Sequence, residues 1–249
     1  MADTRDLKSL GPKGPCGFKS RLGHIDNPGT FSEFMSQPKV TVLSLSPLVT
    51  YVSSEDMPAA TIVDVAKHGN LGQLQDLLAK GADVNAADAN GLTTLMGACR
   101  SGNVAMVKLL LERGARVNDR DHLGHTALMY AAFRGDPEIL QALVAVGASV
   151  DVNREKGFTA LSMAAMGGHA DIVRVLLDIG LPIDEQSSTG WTPLIAAAHN
   201  GHEEAARLLL SMGADPGLKS REGKTALAYA TEKGHSRIAE LLKKAGAQE

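Results

Sequence analysis

Three glycine series in this chain share one spacing. Gly69, Gly102, Gly135, Gly168, Gly201 and Gly234 recur every 33 residues without an insertion. Gly81, Gly114, Gly147, Gly180, Gly213 and Gly246 keep the same interval, as do Gly91, Gly124, Gly157, Gly190 and Gly223. A fixed period of this length predicts a stack of short supersecondary units, one per period. No such unit can bury its apolar face alone, so the core must be built between neighbours. With 44% hydrophobic residues the chain has the material for that core. Aromatic residues make up only 4%, so small and aliphatic side chains must fill it. No apolar run approaches the ~18–20 residues needed to cross a bilayer as a helix.

The residues between the glycines predict two helices per unit. A Thr stands two residues after each hairpin Gly, at Thr93, Thr126, Thr159, Thr192 and Thr225. Thr suits a helix N-cap, and Pro193 suits a first turn, where its missing N–H costs nothing. Leu95, Leu128, Leu161, Leu194 and Leu227 follow, then small residues such as Ala131-Ala132 and Ala196-Ala197-Ala198. Those alanines let neighbouring helices come close, and a Gly ends the helix in the left-handed conformation. The second helix carries apolar residues at helical spacing, for example Leu74, Leu77 and Leu78, or Val173, Leu176 and Leu177. Asp136-Pro137-Glu138 reads as an N-cap, a first-turn Pro and an acid facing the positive helix end.

From about residue 58 to 249 the chain resembles the ankyrin-repeat family, through Gly190-Trp-Thr-Pro-Leu194, Gly201-His202, Gly81-Ala-Asp-Val-Asn85 and the Leu110–Ala115 run. The resemblance implies an all-α repeat solenoid: six helix-turn-helix units joined by β-hairpin-like loops, the first and last acting as caps. It also implies a non-enzymatic module that binds a protein or peptide on its concave face, as a scaffold or adaptor or as an inhibitor of an enzyme or transcription factor. The family's His after the Thr-Pro-Leu run is replaced throughout, by Met96, Met129, Ser162, Ile195 and Ala228. Its hydrogen bonds between units must be replaced or missing, and a partly apolar contact is expected there.

Residues 1–57 read as a separate, Pro- and Gly-containing extension with six basic and six acidic residues. Within it, 40–52 is rich in β-branched residues and interrupted by Pro47. It is expected to be flexible or to dock as an extended segment, with Pro47 limiting any strand to an edge or bend. The N-terminus lacks the charge and apolar pattern of a secretory signal. A cytoplasmic or nucleocytoplasmic monomer is the expectation. The two cysteines, Cys16 and Cys99, provide no disulfide framework.

Chemistry is poorly represented. There is no phosphate-binding loop, dinucleotide fingerprint or nucleophile elbow. His169, His202 and His235 each follow the central Gly, where the resemblance implies a scaffold role. His122 with His125 lacks the carboxylate or thiol partners of a metal site. No cofactor and no metal are expected. The repeat region holds 19 basic against 22 acidic residues, which does not make a nucleic-acid stripe.

Binding is the better-supported expectation. Positions just after each hairpin Gly, and just before each central Gly, map to the partner face in the family. They give Leu92, Arg100, His125, Phe133, Arg134, Phe158, Met166, Trp191, His199 and Lys224, with Tyr130 beside them. Aromatic residues and Arg dominate interface hot spots, so Phe133, Phe158 and Trp191 are expected as anchors and Arg100, Arg134 and Lys224 as flanking charge for an acidic segment. The resemblance also marks Asn85 and Asn118 as positions that can be hydroxylated in animal ankyrin proteins, each with a Leu eight residues earlier. Asn suits such turns for its own reasons as well.

Overall fold

A computed structural model describes residues 60–150 and 158–247. The expected docking segment 40–52 and the hairpin centred on residue 154 lie outside the described residues. Within them, twelve α-helices form six pairs. The inner helices are α1 (Ile62–Lys67), α3 (Thr94–Ser101), α5 (Ala127–Arg134), α7 (Ala160–Gly167), α9 (Pro193–Asn200) and α11 (Ala226–Glu232). The outer helices are α2 (Leu71–Ala79), α4 (Val104–Glu112), α6 (Pro137–Ala145), α8 (Ala170–Asp178), α10 (Glu203–Ser211) and α12 (Ser236–Lys244). The connections between units are turns, with one isolated antiparallel bridge, Ala87 to Thr93, among the described residues.

Each predicted Thr caps its inner helix. The hydroxyls of Thr93, Thr126, Thr159, Thr192 and Thr225 accept the N–H three residues on, at 3.0–3.4 Å. Such a cap contributes about 1 kcal/mol. The outer helices start in two ways. Asn70 and Asn103 cap through their side chains, whereas His169, His202 and His235 occupy the same position without a side-chain cap bond. Asp136 also departs from expectation: it is the N-cap residue, with Pro137 in the first turn, but makes no side-chain cap bond. Its carboxylate instead lies 4.0 Å from Arg134 Nε.

The core runs between the units. The inner helices are buried nearly all round, and they pack on one another more extensively than the outer helices do. Two glycines off the 33-residue lattice explain part of this closeness. A Cβ at Gly97 would sit 3.2 Å from the Ala66 Cβ and 3.3 Å from the Val63 carbonyl. A Cβ at Gly167 would collide with the Phe133 carbonyl. Both glycines let two inner helices approach without a side chain between them.

The missing family His leaves a buried, mostly apolar position: Met96, Met129, Ser162 and Ile195 are all buried. The polar ties between units lie elsewhere. In the hairpins, the His122 N–H donates to the Asn90 carbonyl at 3.0 Å, and the Arg221 N–H to Thr189 at 2.9 Å. Below them, Asn85 Oδ1 accepts the Arg116 N–H at 2.8 Å and Asn118 Oδ1 the Ser149 N–H at 2.7 Å. Asp184 does the same for Asp215 at 3.0 Å, so the acceptor is what recurs, while Asn118 Nδ2 also donates to the Gly147 carbonyl at 3.2 Å. Asn85 and Asn118 thus each bridge one unit to the next.

At the starts of the outer helices the ties are side chain to backbone. Asn103 Nδ2 donates to the Gly69 carbonyl at 3.0 Å, and His235 Nε2 to His199 at 3.1 Å. His202 bonds the Met166 backbone. The central glycines make room for these rings. Gly201 has φ +81°, and a Cβ there would lie 2.7 Å from the His235 ring. For His202 and His235 these hydrogen bonds are the scaffold role expected of them.

Candidate interaction surface

The residues expected to meet a partner fall into two groups. Leu92, His125, Tyr130, Phe158, Met166, Trp191 and His199 are buried. Arg100 and Phe133 are half-buried, Lys224 is partly exposed and Arg134 is exposed. The expectation that Phe158 and Trp191 stand out as anchors is therefore corrected, because both rings turn into the stack. Tyr130 and Tyr229 turn inward too.

Trp191 is only 3% exposed. It sits edge-on to Phe158, with centroids 6.3 Å apart, and 5.0 Å from the His199 ring. Tyr229 of the next unit lies 4.8 Å away. Four rings from three units thus close one cluster, in the tilted and T-shaped arrangements aromatic rings prefer. Burial and the charge of Lys233 push the His199 imidazole below its usual range. At its rim, Lys224 Nζ lies 5.4 Å from the Tyr229 ring centre and pairs with Glu232 at 2.7 Å.

One unit group earlier, the same face holds a polar network. Asp121 Oδ1 accepts the N–H groups of Leu123 and His125 at 2.9 and 2.8 Å. Its Oδ2 accepts the Tyr130 hydroxyl at 2.8 Å, with His125 Nδ1 at 3.3 Å. Burial opposes the Asp121 charge, but the hydrogen bond and charge of His125, its backbone N–H and the Tyr130 hydroxyl outweigh it. The carboxyl is held below its usual range. Burial and the neighbouring carboxylate push the Tyr130 hydroxyl up. A buried Asp–His pair invites comparison with a hydrolase, but His125 points to Asp121 and Tyr130 inside the turn. The three side chains fasten a hairpin to the helix that follows it.

Cys99 is equally enclosed. Burial pushes the Cys99 thiol up, which makes it a poor nucleophile. His122 is exposed while His125 is buried, so the two do not converge. Among the described residues no group of three or more metal-ligating side chains occurs, and no helix is long and apolar enough to cross a membrane.

What remains accessible is a set of hairpin tips and inner-helix ends. Five aromatic rings lie in the described residues, and Phe133 is the one that is not buried. Beside it stand exposed Arg134 and, one unit back, half-buried Arg100. Sequence reasoning chose Phe133, Arg134 and Arg100 along with the buried rings, and only the packing separates them.

The sequence family described as Ankyrin repeats (3 copies) matches residues 62–154, 129–220 and 182–249. The chain belongs to the ankyrin-repeat family, whose repeats are in general protein-interaction modules. Among solved structures it is similar to the human ASB11 ankyrin repeat domain, at 29% identity and a TM-score of 0.67, over 75% of this chain and 84% of that one. A chain in the complex of the Bdellovibrio bacteriovorus predatory endopeptidase Bd0816 with immunity protein Bd3460 matches at 30% identity and a TM-score of 0.63, covering 75% and 98%. The ankyrin repeat domain ABAYE2397 of Acinetobacter baumannii AYE matches at 32% identity and a TM-score of 0.59, again over 75% and 98%. No curated protein matches the chain.

Proposed function

We propose that this protein is a non-enzymatic scaffold or adaptor that holds a protein or peptide segment across its inner-helix ends and hairpin tips. The observation that carries this reading is Phe133 with Arg134: a half-buried aromatic next to an exposed arginine, on a frame whose other described rings are locked inside. An apolar anchor with acidic flanks is the partner chemistry that fits them. The partner is captured with the full chain, identified, and its affinity measured against Phe133→Ala/Arg134→Glu. A loss of roughly 30-fold or more is expected, as for truncation of a hot spot, with the helical fold retained by circular dichroism. Equal affinity of the two proteins would remove the partner from this face.

A second reading, an inhibitor that occludes an enzyme, draws support from the solved complex that pairs an endopeptidase with an immunity protein. Deleting residues 1–57 separates the two: binding retained with inhibition lost favours the inhibitor.

A further inference from the structure

Val146, Ile179 and Met212 are 52%, 44% and 40% exposed. They are equivalent residues: each is the C-cap of an outer helix, at the ends of α6, α8 and α10. In the first two units the same position holds Lys80 and Arg113, both exposed. The stack does not need an apolar side chain here, since charge serves two of its members. The row therefore changes character along the molecule, two cations followed by three apolar groups. With helices packed ~8–10 Å apart, the apolar part is about 20 Å long. Three exposed large apolar side chains at one equivalent position on successive units, with none elsewhere among the described residues, point to a surface for something to cover.

We infer that it is covered by residues 40–52 of the same chain. This segment contains no charged residue, and eight of its thirteen residues are Val, Leu or Tyr. Between it and the described repeats lie residues 53–59, which include Glu55 and Asp56. Traced backwards from the first unit, the chain offers two acids and then an apolar run. The row offers two bases and then three apolar groups in the same order.

The path is short enough. The two helices of a unit are joined by a turn of three residues, His68 to Asn70 in the first unit, so they run antiparallel. The start of α1 and the ends of the outer helices then share one edge of the stack. Seven extended residues reach ~25 Å, which covers the two unit spacings, about 20 Å, from the first unit to the third. Thirteen more span ~43 Å if fully extended, more than the row requires, and Pro47 permits a bend midway. Because the segment is tethered, its effective concentration at the row is in the millimolar range, about what a short flexible linker gives. The inner face stays open, so this inference stands or falls independently of the partner site above.

The test is amide hydrogen exchange on the full chain. In the parent, amides of 40–52 exchange roughly tenfold or more slowly than in Val146→Lys/Ile179→Lys/Met212→Lys, while the repeat helices exchange alike in both. Lys80→Glu/Arg113→Glu gives a partial loss of protection, restored by Glu55→Lys/Asp56→Lys. Equal exchange of 40–52 in parent and triple variant overturns the inference. So does protection that disappears on dilution together with a dimer mass in light scattering, which assigns the row to a second copy of the chain.

Discussion

The third unit and the last unit solve one problem with different chemistry. In both, a tyrosine on the inner helix reaches back nine residues to the first residue of its own hairpin: Tyr130 to Asp121 at 2.8 Å, Tyr229 to Ser220 at 3.1 Å. In the third unit the acceptor is a carboxylate and the group over the turn is His125, all of it buried. In the last unit the Tyr229 hydroxyl donates to Glu222 at 3.2 Å and accepts from the Ser220 hydroxyl, and Lys224 lies at the rim. The geometry and the burial of each tyrosine with its partner are shared, while the charge, and the exposed Glu222 of the last unit, are not. A repeat lattice thus fixes where a clamp goes and leaves open what it is made of, so the same position has different energetic weight in different units.

That contrast is broken most severely by Trp191→Ala. Removing the ring that joins three units should cost about 3–5 kcal/mol, read as a fall in melting temperature. Hydrogen exchange should rise in α9 and α11 more than in α3 and α5. Equal acceleration in both halves would mean the stack unfolds as one block and the cluster is not a local tie.

Next in size is the pair of tyrosines. Tyr130→Phe removes a donor from a buried carboxylate and should cost roughly 1.5–3 kcal/mol, whereas Tyr229→Phe, which loses neutral and rim bonds, should cost about 0.5–1.5 kcal/mol. Denaturant midpoints at constant slope measure both, and a reversed order would contradict the clamp described for Asp121.

Acid separates the halves without mutation. The His199 and His202 imidazoles lie below their usual range, pushed there first by burial and then by Lys233 for His199 and by neighbouring histidines for His202. The unfolded chain therefore takes up these protons first, and their contribution, complete above the ordinary imidazole range, declines as pH falls below it. Asp121 is also held below its unfolded value. Its contribution persists through that range and is lost only as pH falls below the ordinary carboxylate value. Unit-resolved hydrogen exchange should show the C-terminal half loosening near pH 6 to 5 and the third unit only below about pH 4. Simultaneous loosening would refute this order. The smallest effect belongs to Lys224→Gln, whose exposed ion pairs should leave the melting temperature unchanged within error.

Much of this architecture was legible in the sequence, and the reasons are local. A lattice glycine, a Thr cap and an Ala pair each act within a few residues of their own position, so their spacing reveals them. Gly97 and Gly167 gave no such signal. Their reason is the backbone of the neighbouring helix, which belongs to another part of the chain. The fate of Phe158 and Trp191 was hidden for the same cause. The position after the hairpin Gly holds Leu92, His125, Trp191 or Lys224, so its type does not disclose its direction. Trp191 turns inward because Phe158, His199 and Tyr229, from both sides, make a pocket for it. Asp121 lay between these cases: an acid four residues before His125 suggests a turn, but the Tyr130 bond that makes it a clamp depends on the pitch of the helix.

The ties between units have a common reach. Those from Asn85, Asn103 and His235 span 31, 34 and 36 residues, about one period. None of them depends on how many units follow. A genetic event that removes or duplicates one whole period in the interior would hand every donor an equivalent acceptor, and the array would change length without losing its register. An insertion of a few residues inside a helix pair has no such escape. For this chain, then, the natural increment of change is the unit, and the surface can be lengthened or rearranged by copying before any single side chain is altered.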